Sequence, residues 1–232
     1  MSSRIYYHRP PDLEGKKPPT RLDSYGDTGK RYYLDPWTNL PYPSVTTVLG
    51  ATNPDKDSGL EEWRNRVGPG VADHIMHNAK SVGSLAHAYC EGHLNNKEFL
   101  PPQPLLAFAH YTNLIPELEQ LDNIKATEMP LLSAKVGAAG TVDCVAEYCQ
   151  VPSVVDFKTM RKIKKDEWMH AYYVQVAAYG MMWHDMFKER IEQGVIMCSA
   201  EDGERKVVVV RLAEYEHEWL SRVAQYKASV GL

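Results

Sequence analysis

Asp156 and Lys158 stand two residues apart in the run SVVDFKTM. The β-branched and aromatic residues around them favour a strand, where side chains alternate in direction. Asp156 and Lys158 therefore share a face with Val154, while Val155 and Phe157 share the other. A carboxylate and an ammonium then project side by side, their Cβ atoms within roughly 7 Å. Such a pair could act on one phosphate oxygen and one hydrated cation. The preceding run, GTVDCVAEY, supplies Asp143 on a face with Val145 and Glu147. If the two runs pair as a hairpin, Asp143 sits beside Asp156, and two close carboxylates repel unless a cation intervenes. Their hard oxygen donors suit Mg²⁺ or Mn²⁺. A D-x-K tripeptide on its own reads better as an edge-strand ion pair, so the weight falls on its surroundings.

The elements that must position these residues can be read from periodicity. Residues 1 to about 30 are rich in Pro, Lys, Asp and Gly without a repeat, which predicts a loose arm followed by a single domain over 31–232. Strand-like aromatics at Tyr32 and Tyr33 lead through Pro-marked turns to Ser44, a helix cap before Val45, Val48 and Leu49. A short helix carrying Trp63 is expected over 60–67, and a longer one over 71–94 with a break near Gly83. Another follows over 105–121, kinked or interrupted by Pro116. Three strands are predicted over 126–133, 140–149 and 152–159, then a helix over about 166–192. A hairpin over 194–200 and 206–212 turns at Asp202-Gly203, and an amphipathic helix over 214–230 closes the chain. The expected fold class is α/β, a mixed central sheet flanked by helices.

Gln175 and Tyr179 in the predicted fifth helix are four residues apart and share a face. Gly-x-x-Asp, then Asp-x-Lys-Thr, then Gln-x-x-x-Tyr is the motif order of the RecB-like branch of PD-(D/E)XK nucleases, and GTVD, DFKT and QVAAY follow it. Upstream, PSVTTVL at 43–49, the Trp63 helix, and Gly83-Ser-Leu-Ala-His87 followed by Glu91 resemble the mitochondrial genome maintenance exonuclease family and its phage and bacterial relatives. The resemblance runs from about residue 42 to 220. It implies a PD-(D/E)XK core and a metal site formed by His87, Asp143, Asp156 and the backbone carbonyl of Phe157. It also implies Lys158 as the catalytic lysine, Gln175 and Tyr179 lining the site, and Glu128 and Glu91 in supporting places around it. Imidazole among the ligands makes Mn²⁺ acceptable beside Mg²⁺. The implied activity is a metal-dependent exonuclease acting on single-stranded DNA ends. The alternatives are a structure-selective endonuclease of the same fold and a catalytically dead DNA-binding accessory protein.

Some relatives carry an iron–sulfur cluster on four cysteines. Cys90, Cys144, Cys149 and Cys198 are scattered with no C-x-x-C pair, so no cluster is expected. His74 and His77 lack the H-E-x-x-H context that gives a zinc motif its force.

A polyanionic substrate needs a basic surface, and KTMRKIKK carries Arg161, Lys162, Lys164 and Lys165 directly after Lys158. Trp168 follows this segment, and with Tyr32, Tyr33, Trp37, Tyr172 and Tyr173 it offers flat rings for unpaired bases. A net charge of −4 excludes a chain coated in positive charge but leaves a local basic face open. No apolar run approaches the roughly 20 residues of a membrane span, so no membrane partner is expected. The first residues lack the apolar stretch of a secretory signal, and a cytoplasmic location follows as the default, that of the host for a phage protein.

Overall fold

The computed structural model describes residues 4–26, 29–53, 59–97 and 104–231. Strands β1 (Thr20–Tyr25), β2 (Lys30–Leu34) and β3 (Pro41–Pro43) form a small antiparallel sheet. Helix α1 (Val45–Ala51) starts at Ser44, whose Oγ accepts the Thr47 N–H at 3.0 Å, the expected cap. Helices α2 (Gly59–Val67), α3 (Pro69–Leu94) and α4 (Leu105–Leu118) follow. The main sheet then forms from β4 (Leu121–Ser133), β5 (Ala138–Tyr148) and β6 (Val151–Met160). After α5 (His170–Phe187) come β7 (Gln193–Ala200), β8 (Arg205–Arg211) and α6 (Ala213–Val230).

The five strands lie in sequence order, antiparallel except for β6 and β7. Helix α5 supplies the crossover that a parallel neighbour requires. Side-chain alternation sorts the core onto two faces. Val145, Val154 and Ile196 meet Val176, Trp183 and Trp219 of α5 and α6, while Cys144, Val155, Phe157 and Met197 meet Leu94 and Leu114 of α3 and α4. The fold class is therefore as expected, an α/β domain with a mixed sheet between helical layers.

Several boundaries differ from the sequence reading. Helix α3 passes through Gly83 without a break. The glycine faces β6 so closely that an added Cβ would lie 3.2 Å from Thr159 Oγ1, so it serves helix-to-sheet approach and not a hinge. Pro116 lies within the last turn of α4. β4 begins at Leu121, inside the stretch expected to be helical, because a bulge between Asp122 and Ala126 lets the ladder extend. The helix expected over 166–192 is shorter: a 3₁₀ turn occupies Asp166–Trp168, and Lys188 at φ 58 ends α5.

The described part of the first 30 residues is docked, unlike the loose arm its composition predicted. Tyr6 is buried, with its hydroxyl 2.9 Å from His93 Nε2 and donating to the Leu118 carbonyl at 3.2 Å. His8 bridges Ile124, and β1 pairs with β2. One aromatic anchor and backbone pairing outweigh a composition that composition alone reads as unstructured.

Candidate active site

The ladder between β5 and β6 ends at the pair Cys144 and Val155. One step further Asp143 and Asp156 would face each other, and there the Asp143 carboxylate takes over: its Oδ2 accepts the Phe157 N–H at 2.8 Å. A side chain thus replaces a strand carbonyl, and the backbone of β6 fixes the position of the acid. On β4, Glu128 lies between Thr127 and Met129, the partners of Cys144 and Val142, and so arrives opposite Asp143. Glu128 has φ 45, in the left-handed region that costs a non-glycine residue about 1–2 kcal/mol. Strain of this kind persists where the surroundings over-determine it, commonly at functional sites.

The close approach at Gly83 brings α3 down onto β6, and His87, one turn further along, reaches the two acids. Its Nδ1 is 3.4 Å from Asp143 Oδ2 and 3.8 Å from Glu128 Oε1, and its ring meets Phe157 edge-on at 5.9 Å. One donor atom each from His87, Glu128 and Asp143 fit within 4.8 Å of one another. Among the described residues this is the group with metal-ligand character; His74 instead lies on an exposed helix face against Asn78. Burial would lower the His87 pKa, but the Asp143 and Glu128 carboxylates overcome it and raise it to about 10. A protonated imidazole between two carboxylates marks a place that wants a positive charge. Burial likewise raises the Asp143 carboxyl, yet His87, Lys158 and the Phe157 N–H together bring it below its ordinary range.

Asp156 stands beside this group. It is 1% exposed; its Oδ1 accepts from Gln175 Nε2 at 2.9 Å and its Oδ2 contacts the Lys158 ammonium. That contact pairs the buried carboxylate with the lysine two residues along the same strand. Burial pushes the Asp156 carboxyl up to about 6, against the pull of Lys158. Burial opposes the charge on Lys158, but Asp156 and Asp143 hold its ammonium above the ordinary lysine range. Both partners are thus ionised at neutral pH, and Lys158 is a fixed cation.

Gln175 and Tyr179 occupy one face of α5, as the spacing predicted, and both are buried. Tyr179 packs over Gly140, where an added Cβ would lie 2.8 Å from its Cε1. Gly140→Ala is therefore expected to displace the ring from the two aspartates and to cost about 1–3 kcal/mol, read as a lowered urea midpoint; an unchanged midpoint would show that the ring yields freely. Burial raises the Tyr179 hydroxyl well above its ordinary pKa, with Asp143 and Asp156 adding to it, so it remains a neutral donor. Glu91 lies one turn beyond His87 and outside the three-donor group, its carbonyl accepting the Asn95 amide. In the basic segment Arg161, Lys162 and Lys165 are exposed and Lys164 is half-buried. Trp168 is 64% exposed with the Lys165 ammonium 5.6 Å from its ring.

Mitochondrial genome maintenance exonuclease 1 of Xenopus tropicalis is 25% identical over 206 residues, and those of Homo sapiens and Mus musculus are 27% and 28% identical over 200 residues each. The chain is a sequence relative of these exonucleases. The similarity covers 82%, 79% and 79% of this chain, which spans 58% of the length of each of these relatives. No protein-family model matches the chain. A solved chain from Eubacterium rectale overlaps 65% of this one and 68% of its own length at 18% identity and a TM-score of 0.45, a loose overlap. Sequence reasoning underweighted Glu128, which joins the donor group itself. The signal available was its place opposite Asp143 on the neighbouring strand, visible only once the register is known. No helix among the described residues is long and apolar enough to cross a membrane.

Glu128→Gly relieves the positive φ while removing one donor. It is expected to leave folding stability within about 1 kcal/mol of wild type, the relieved φ offsetting the lost contact with His87, while weakening divalent-cation binding by about tenfold or more. Urea denaturation without metal and a Mn²⁺ titration read the two effects separately, and a variant both less stable by more than that and equally tight in binding contradicts both.

Proposed function

We propose that the chain is a metal-dependent DNA exonuclease that hydrolyses phosphodiester bonds and prefers single-stranded ends. The observation that carries this reading is the three-donor group of His87, Glu128 and Asp143 beside the ionised Asp156–Lys158 pair. The donor set fits a hard divalent cation, Mg²⁺ or Mn²⁺: two carboxylates and an imidazole, with the buried Asp156 carboxylate beside them. His87, Glu128 and Asp143 would hold the ion, with Asp156 and the Phe157 carbonyl adding oxygen donors. When bound, the ion supplies Lewis acidity and acidifies water at neutral pH.

The remaining work falls to the chain. Hydrolysis adds a water oxygen to phosphorus, breaks the bond from phosphorus to the leaving sugar oxygen, and returns a proton to that oxygen. Negative charge grows on the non-bridging oxygens, and the fixed Lys158 ammonium is placed to stabilise it. A general base needs a free lone pair, and a lysine held protonated by two aspartates lacks one. Lys158 therefore acts electrostatically. Gln175 holds the Asp156 carboxylate in orientation, and neutral Tyr179 closes the site behind it. Arg161, Lys162 and Lys165 provide exposed charge for phosphates of the incoming strand, and the open ring of Trp168 suits stacking on an unpaired base.

End-labelled linear and circular DNA, each single- and double-stranded, incubated with Mg²⁺, Mn²⁺ or EDTA, tests this reading. Metal-dependent degradation of linear single strands with circular strands spared is expected. Cutting of circular strands would instead mark an endonuclease, and tight binding without turnover in either metal would mark a DNA-binding protein with a dead centre.

A further inference from the structure

Tyr172 stands where the strand carrying Lys158 meets the basic segment after it. It lies on α5 one turn before Gln175 and is half-buried. The Lys158 ammonium approaches its ring, 5.0 Å from the centroid. The Lys164 ammonium is close as well: it donates to the Tyr172 hydroxyl at 2.6 Å and is 4.8 Å from the centroid. Both ammonium groups lie within the roughly 6 Å at which an aromatic quadrupole attracts a cation. Each ammonium is thus drawn to the ring, and Lys164 to the hydroxyl as well.

We propose that Tyr172 is a positioning residue whose ring fixes the Lys158 ammonium and whose hydroxyl fixes Lys164, so that both cations are presented to the same stretch of a single strand's phosphate backbone. This rests on the nuclease reading above and assigns the half-buried lysine of the basic segment to substrate holding beside the cleavage point. Three observations support it. The Lys158 ammonium pairs with Asp156, and the ring supplies a further contact. Lys164 is drawn inward while Arg161, Lys162 and Lys165 stay exposed. The hydroxyl bonds Lys164, so that bond can be removed while the ring beside Lys158 stays.

Tyr172→Phe keeps the ring and removes the hydroxyl; Tyr172→Leu removes both. Steady-state cleavage of a linear single-stranded oligonucleotide with Mn²⁺ should show KM raised about three- to tenfold in the Phe variant, with kcat within twofold of wild type. The Leu variant should show the same rise in KM and a fall in kcat of about tenfold. Equal kinetics for the two variants, or wild-type KM in the Phe variant, overturns the division of labour.

A second readout does not depend on turnover. In protein labelled at lysine Cε, the Lys158 signal, assigned as the one lost in Lys158→Arg, should carry a ring-current displacement that persists in Tyr172→Phe and disappears in Tyr172→Leu. A signal unmoved in the Leu variant overturns the ring contact. A wild-type protein that fails to cut DNA but keeps this pattern overturns the nuclease reading and leaves the positioning of Lys158 standing. If the Leu variant does not fold, the Phe variant alone decides through its KM and its retained displacement.

Discussion

Asp156→Asn is expected to abolish hydrolysis of single-stranded DNA, with a rate loss of about 10³-fold or more, while the fold remains. The amide matches the carboxylate in shape, so the buried space stays filled and the carbonyl can still accept from Gln175. What disappears is the charge that holds Lys158 and the oxygen donor beside the His87 group. The Lys158 ammonium loses its contact partner and meets the amide N–H₂ in its place, though Asp143 stays nearby and Lys158 is 18% exposed, so the stability cost should be about 3 kcal/mol. Circular dichroism and urea denaturation check the fold, and end-labelled oligonucleotides check the rate. Turnover within tenfold of wild type by a folded Asp156→Asn would remove Asp156 from the chemistry. Lys158→Ala should lose turnover comparably, and Arg is no conservative replacement there, because a planar fork cannot occupy the place of a point charge between Asp156 and Tyr172.

Cation binding should raise thermal stability and release a proton. At a hundredfold excess over Kd a ligand specific for the folded state contributes about 2.7 kcal/mol, or about 5–10 °C in Tm for a chain of this size. The proton comes from His87. Its folded pKa of about 10 lies above the ordinary 6.5. The stability it contributes without metal is therefore fully present below pH 6.5 and is lost as the pH rises through 10. A cation that takes the imidazole lone pair must displace that proton, so apparent affinity should rise about tenfold per pH unit between those limits. Calorimetry at pH 7.5 in two buffers of different ionisation enthalpy should show close to one proton released per ion, and His87→Gln should show almost none. Binding without proton release would place the ion away from His87.

The motif residues were readable because each sits in an element whose period exposes it. Alternation in SVVDFKTM separated Asp156 and Lys158 from Val155 and Phe157, and helical spacing put Gln175 and Tyr179 together. Properties that depend on register were hidden. Glu128 becomes a donor because β4 and β5 pair so that it faces Asp143, and its positive φ is set by that packing and not by local preference. Gly83 suggested a break, since an isolated glycine in a helix costs stability, and no local signal discloses that β6 needs the space. The N-terminal segment misled for a similar reason: a few anchors such as Tyr6 decide docking, while composition averages over all residues.

The bond from the Phe157 amide to Asp143 means that the candidate metal site can be followed through the backbone. That hydrogen is protected only while the carboxylate holds its place, so its exchange with solvent deuterium counts how often the acid swings away. A site of this construction carries its own gauge: one main-chain proton, observable in the intact protein without substrate, reports whether the centre is assembled.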